Sequence, residues 1–217
     1  MYKTVVFDLD GTLLNTLTDL ADAGNRLCRK YGWPTHERQA YRYFVGNGIP
    51  KLVERLTPAD QRPPAVLEVA LADFKRDYGQ HLRDTTAPYP GIPEMLAKLK
   101  ANGVQLAVFS NKADALAKEV VKDYFGTQYF TIVRGQMTGV APKPAAEGTN
   151  ALLQALHADP ASTLYVGDSN VDVETAHNAN LPCCGAVWGF RTREELNAAG
   201  AEYLAENSDE LYDVIMK

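Results

Sequence analysis

The chain opens on Thr4-Val5-Val6-Phe7, a run with no polar alternation that stops at Asp8. A strand covered on both faces reads this way, because neither side of it meets water. Comparable runs fall at residues 104–109, 129–133, 163–166 and 183–188. Between them, helical spacing covers 92–102, 114–124, 145–156 and 173–179, and a short terminal pair, Tyr203-Leu204-Ala205 and residues 211–216, completes the chain. Strands that alternate with helices predict an α/β fold with an open, mainly parallel, doubly wound Rossmann-like sheet. In such sheets a ligand sits beyond the carboxyl ends of the strands, where strand order reverses.

Residues 15–82 break this alternation, with helical periodicity and no strand pattern. Leu17, Leu20, Ala21, Gly24, Leu27 and Cys28 recur at spacings of three and four, until Tyr31-Gly32-Trp33-Pro34 ends the helix. A second helix is predicted over 37–44, a turn at Gly46-Asn47-Gly48, a third helix with Pro50 in its first turn, and a fourth over 64–82. Ala87-Pro88-Tyr89-Pro90-Gly91 marks the return to the alternating pattern. The expected organisation is a catalytic core of residues 1–14 and 86–217 and an inserted helical cap of residues 15–85. An insert directly after a strand that ends in carboxylates is expected to act as a lid.

Composition narrows the function. The 217 residues are 46% hydrophobic, enough for a core, and the net charge is -5, with 27 acidic against 22 basic residues. An acidic chain lacks the attraction that nucleic acid or an anionic membrane demands, so neither is an expected partner. An early apolar leader is interrupted by Asp8 and Asp10, and no stretch reaches the length of a spanning helix, which makes the cytoplasm the expected location. Cys28, Cys183 and Cys184 have no zinc or disulfide spacing and read as buried thiols.

The chemistry gathers where strands end. Asp8 and Asp10 are two apart, so an extended backbone sends both carboxylates to one side. Paired carboxylates repel unless a divalent cation or a proton relieves them. Gly11 permits a sharp turn and Thr12 adds a hydroxyl. The next buried run ends in Ser110-Asn111-Lys112, Lys143 stands between two prolines, and a third run ends in Gly167-Asp168-Ser169-Asn170-Val171-Asp172. Singly these have plain readings: an Asp-Gly turn, a helix cap, a solvated lysine. Together they describe a phosphoryl-transfer site, in which Asp8, Asp10 and Asp168 offer the hard oxygens Mg²⁺ accepts and Lys143, Ser110 and turn amides share the charge of a phosphoryl group.

Asp8-Leu9-Asp10-Gly11-Thr12, Ser110, Lys143 and the segment from Gly167 to Asp172 resemble, in order and spacing, the motifs of the haloacid dehalogenase-like phosphatase superfamily. The resemblance implies Asp8 as a nucleophile that becomes an aspartyl-phosphate and Asp10 as general acid and then base. It implies Mg²⁺ held by the Asp8 carboxylate, the Asp10 backbone carbonyl and Asp168, with Asp172 organising the site from behind. Ser110 and the Asn111 amide would bind phosphoryl oxygens, Lys143 would tie the phosphate to Asp8, and Gly11 and Thr12 would complete the first loop. The helical insert, Val45-Gly46-Asn47-Gly48-Ile49-Pro50 and Ala186-Val187-Trp188-Gly189-Phe190-Arg191 are similar to the phosphoglycolate phosphatase subgroup. Asn15-Thr16 and Ala145-Ala146 depart from its usual pattern and leave every catalytic group in place.

The expected activity is Mg²⁺-dependent hydrolysis of a small phosphomonoester, 2-phosphoglycolate first, by a monomer or homodimer. Pyrophosphate, a nucleoside monophosphate or a sugar phosphate are the alternative substrates. A phosphomutase is a further alternative, although such mutases tend to carry Glu-Asp where this chain has Gly167-Asp168. A phospho-aspartate signalling module would need no insert after its first strand. Substrate choice is expected in the insert, where the helix after Gly48 would point its amides at a carboxylate and Lys51 and Arg55, four apart, share a helix face. Two solvated surface charges with Glu54 between them is the plain reading of that pair.

Overall fold

The computed structural model describes every residue from Met1 to Lys217. In chain order the elements are β1 Thr4–Phe7, β2 Leu14–Asn15, α1 Leu17–Tyr31, α2 Arg38–Phe44, α3 Ile49–Leu56, α4 Pro64–Gln80, β3 Ala87–Pro88, α5 Ile92–Ala101, β4 Gln105–Ala113, α6 Asp114–Phe125, β5 Phe130–Gln136, α7 Ala146–Leu156, β6 Thr163–Gly167, α8 Asn170–Asn178, β7 Cys183–Ala186, α9 Arg193–Ala198, β8 Tyr203–Ala205 and α10 Ser208–Met216. The chain divides into two compact units, one of Met1–Asn15 with Pro88–Lys217 and one of Thr16–Ala87.

The first unit is built on a six-stranded sheet in the order β5-β4-β1-β6-β7-β8, every neighbouring pair parallel. Strand order runs from β1 outward through β4 to β5, then returns to β6 and runs the other way. The reversal leaves the carboxyl ends of β1, β4 and β6 side by side, with Phe7 level with Val108 on one flank and Val166 on the other. Val5, Val6, Phe7, Leu106, Ala107, Val108, Leu164, Tyr165 and Val166 are fully buried, as strands covered on both faces must be. Leu152, Leu156, Val173, Ala176 and Leu196 come from the helices to close one face of this core.

Three elements differ from the sequence pattern at places that matter. β4 runs to Ala113 rather than stopping at 109, and its ladder with β5 is irregular between Phe109 and Ala113, the interval that holds Ser110, Asn111 and Lys112. α8 begins at Asn170 rather than 173 because Ser169 and Asp172 close a reciprocal capping box. α9 was not expected from its periodicity, yet Thr192 and Glu195 cap it in the same way. β2 and β3 add a two-residue pairing too short for any alternation to announce.

The second unit is helical. Gly24 of α1 leaves room for Tyr41 of α2, since a Cβ there would come 2.5 Å from the phenol oxygen. Tyr41, Phe74, Tyr78, Leu52 and Leu56 form its buried interior. Gly32 ends α1 in the left-handed conformation, with φ 68°. On α1, the buried Asp19 carboxylate accepts the backbone N–H groups of Thr85 and Thr86, and both threonine hydroxyls donate to it as well.

Candidate active site

Beyond β1 the backbone continues one step in register, with Asp8 N–H donating to Val166 O at 2.8 Å. It then folds back on itself. Leu9 O accepts N–H groups from Thr12, Leu13 and Leu14, and Gly11 N–H donates to Leu14 O at 2.8 Å. Gly11 sits at φ 94°, a conformation that disfavours any side chain, and a Cβ there would come 2.2 Å from Asp168 Oδ2. Trp188 braces the loop from outside, its indole N–H donating to Thr12 O at 3.0 Å.

Lys143 is the hub of the site. Its Nζ lies 2.7 Å from Asp8 Oδ1 and 2.7 Å from Asp172 Oδ1, with Tyr165 OH at 3.2 Å and Phe109 O at 3.3 Å. The Asn111 side chain holds the lysine's backbone from both sides, accepting Lys143 N–H at 2.8 Å and donating to Lys143 O at 3.2 Å. Burial works against the ammonium charge, but Asp172 and Asp8 hold the Lys143 pKa well above its ordinary value. Asp8 feels the opposite balance. Burial pushes its carboxyl from 3.8 up to about 7, Lys143 pulls it down, and Asp172 and Asp10 add repulsion. One ammonium therefore stays charged between carboxylates that it does not fully neutralise.

Asp168 carries the same excess. Burial first, then Asp172 and Asp8, raise its pKa well above the ordinary range, against Phe190 N–H and Arg191. Its Oδ2 accepts Phe190 N–H at 2.7 Å and its Oδ1 the Thr12 hydroxyl at 3.3 Å. Asp8, Asp168 and Asp172 bring carboxylate oxygens within 4.8 Å of one another, all buried. Three clustered hard oxygens with unrelieved negative charge fit a divalent cation of the Mg²⁺ type. Asp172 is the least free of the three, because Ser169 N–H and Oγ–H engage its Oδ2 while Lys143 engages Oδ1.

The residues read from sequence divide in a way their spacing does not reveal. Asp8, Lys143, Asp168 and Asp172 converge. Asp10 does not join them: the carboxylate completing the cluster is Asp172, while Asp10 turns to the buried Lys112, whose Nζ lies 3.0 Å from Oδ1 and 3.3 Å from Oδ2. Asp10 nonetheless stays close enough to add repulsion to the Asp8 carboxylate. Ser110 is buried at the end of β4 and its Oγ accepts Lys112 N–H at 3.2 Å. Lys112 and Tyr165 were missed. A lysine after Ser-Asn looks like a solvated charge, and a tyrosine inside a buried run looks like core.

In the helical unit, Gly48 precedes α3 at φ 85°. Lys51 pairs with Glu54 at 2.8 Å on the surface. Arg55 donates to Phe44 O at 2.7 Å and to Asn47 Oδ1 at 3.0 Å, bracing the turn before its own helix. Each cation thus has a partner within the helical unit.

A family model described as haloacid dehalogenase-like hydrolase matches residues 5–186. A phosphoglycolate phosphatase of Thiobacillus denitrificans is 32% identical over 191 residues, 87% of this chain and 84% of that protein. One of Chromobacterium violaceum is 31% identical over 98% of this chain and 96% of its own length. Among solved structures, a Lactobacillus delbrueckii subsp. bulgaricus protein with a provisional phosphoglycolate phosphatase name superimposes with a TM-score of 0.90 at 29% identity, over 99% of this chain and 98% of that one.

Proposed function

The chain belongs to the haloacid dehalogenase-like hydrolase family and is a phosphomonoester hydrolase, and from that premise we propose that it cleaves a small phosphomonoester, 2-phosphoglycolate first, through an aspartyl-phosphate on Asp8. The observation that carries this reading is the Asp8 carboxylate held by the Lys143 ammonium at 2.7 Å, inside a buried cluster with Asp168 and Asp172. Mg²⁺, held by Asp8, Asp168 and the Asp10 backbone carbonyl, would supply positive charge to the phosphoryl oxygens.

The chain's own groups do the rest. An Asp8 oxygen forms a bond to phosphorus as the bond from phosphorus to the ester oxygen breaks, and the electron pair left on that oxygen takes a proton from Asp10. Water then attacks phosphorus and gives its proton to Asp10, the bond to Asp8 breaks, and inorganic phosphate leaves. Ser110 and the Asn111 amide, with Lys143, hold the phosphoryl oxygens while the bonds exchange. A small phosphorylated metabolite is the partner that such a buried site fits, and no helix is long and apolar enough to cross a membrane.

Asp8→Asn tests the nucleophile, because the amide is nearly isosteric yet a poor nucleophile for phosphorus. The expected result is a circular dichroism spectrum like the wild type and no phosphate release above background from 2-phosphoglycolate or from a panel of other phosphometabolites. Turnover at wild-type rate would remove Asp8 from the chemistry.

A further inference from the structure

Two aspartates close β1 and each has a buried lysine of its own. Lys143 serves Asp8, while Lys112, its side chain only 2% exposed, serves Asp10, whose side chain is 15% exposed. Taking an ammonium out of water is costly unless a carboxylate compensates it at close range. Lys112 reaches its partner because β4 runs past Phe109, while Asn111 turns back to the Lys143 backbone. Its Nζ lies within hydrogen-bonding distance of both Asp10 oxygens, which ties down where that carboxyl group lies. The buried oxygens that lie within 4.8 Å of one another come from Asp8, Asp168 and Asp172, while the Asp10 oxygens are engaged by Lys112.

We propose that Lys112 is a positioning residue for Asp10, holding its carboxyl group out of the cation cluster and in the place from which a proton passes to the departing ester oxygen. The proposal rests on the acid and base role assigned above to Asp10. It makes a distinction between leaving groups. An alkoxide must be protonated as it departs, whereas p-nitrophenolate leaves without help, so loss of a positioned acid lowers kcat/KM for alkyl esters and spares the aryl ester.

The experiment measures kcat/KM for 2-phosphoglycolate, β-glycerophosphate and p-nitrophenyl phosphate on wild type, Asp10→Asn, Lys112→Met and the double variant, with circular dichroism and melting as the check of fold. Lys112→Met is expected to lose roughly tenfold to hundredfold on both alkyl esters and less than about threefold on the aryl ester, and the double variant to be no worse than Asp10→Asn alone. If Lys112→Met does not fold, Lys112→Arg takes its place, with the same pattern and a smaller loss expected, since the charge is kept and its geometry changed. Equal losses on all three esters, unchanged rates, or losses that add in full to those of Asp10→Asn overturn the proposal. A loss confined to 2-phosphoglycolate also overturns it, by making Lys112 a reader of the substrate carboxylate. Should Asp10→Asn itself fail to separate alkyl from aryl esters, the acid role falls and the proposal with it. Should Asp10→Asn separate them and Lys112→Met not, the proposal falls alone.

Discussion

Lys143 Nζ is 2.7 Å from Asp8 Oδ1 and equally close to Asp172 Oδ1, so one ammonium joins β1 to the first turn of α8. Replacing it with Met leaves two buried carboxylates facing each other. We expect Lys143→Met to lower kcat by about 10² or more, as loss of one donor to the reacting oxygens does, and to melt earlier than the wild type. Lys143→Arg is not expected to restore activity, because a planar fork cannot take the place of a point donor among four acceptors at 2.7 to 3.3 Å. Phosphate release and thermal melts on both variants check this, and an active Arg variant would argue for charge alone.

The cation prediction follows from the raised carboxyls. Asp8 in the folded chain binds its proton up to about pH 7, against 3.8 for an ordinary Asp, and Asp168 is raised in the same direction. The folded state therefore holds protons that the unfolded state has released, and their contribution to stability is full below about pH 3.8 and lost as pH rises through about 7. A cation competes with those protons. Melting of the metal-free protein should fall between about pH 5 and 8, and the rise on adding Mg²⁺ should be larger at about pH 8 than at about pH 5. In Asp8→Asn both slopes should flatten. Differential scanning fluorimetry with and without EDTA reads this, and a Mg²⁺ shift independent of pH would sink it.

What could be read from the chain differs from group to group. Asp8 was legible because an apolar run that halts abruptly at a carboxylate puts a charge at the edge of the core, where it must find a partner. Asp168 was legible for the same reason. Lys143 was not legible alone, since nothing about a lysine between prolines distinguishes it from surface charge; its order behind the other motifs singled it out. Lys112 stayed hidden because its burial depends on β4 continuing through three polar residues, of which Lys112 meets Asp10 in the loop after β1 and Asn111 meets the Lys143 backbone. The start of α8 was misplaced by periodicity, although the Ser169 and Asp172 spacing already carried the capping signal. Thr192 and Glu195 carried it too.

Asp19 gives the helical unit its own prediction. Its buried carboxylate gathers two backbone N–H groups and two hydroxyls from Thr85 and Thr86, which fastens the last residues of the insert to its first helix. Asp19→Ala strands those donors. A charged hydrogen bond contributes about 1.5 to 3 kcal/mol, and several are lost together, so a destabilisation of about 3 kcal/mol is expected, with Asp19→Asn intermediate. Urea unfolding of the intact chain measures it, and hydrogen exchange should show the backbone amides of Thr85 and Thr86 losing protection first. Unchanged protection at those two positions would mean the clamp contributes nothing.

Gly11 packs directly against the Asp168 carboxylate of the proposed cation site. Its φ of 94° already penalises a side chain, and a Cβ there, 2.2 Å from Asp168 Oδ2, would meet a carboxylate that cannot easily retreat: Phe190 N–H holds that oxygen at 2.7 Å and Thr12 holds the other. Gly11→Ala must therefore move either the loop after Asp10 or the Asp168 carboxylate. Either movement spoils the set of oxygens that a cation needs, while the sheet below, whose strands pair in register through Phe7 and Val166, has no reason to open. We expect a melting temperature only modestly lower in EDTA, by the equivalent of about 1 to 3 kcal/mol, together with loss of most of the Mg²⁺-dependent rise and of phosphate release. Gly189→Ala is the companion test from the opposite side, since a Cβ there would come 2.2 Å from Asp168 Cβ and 2.5 Å from Gly11 O. Both substitutions should raise the Mg²⁺ concentration for half-maximal activity. If either binds Mg²⁺ as the wild type does, the crowding around Asp168 is not what shapes the cation site.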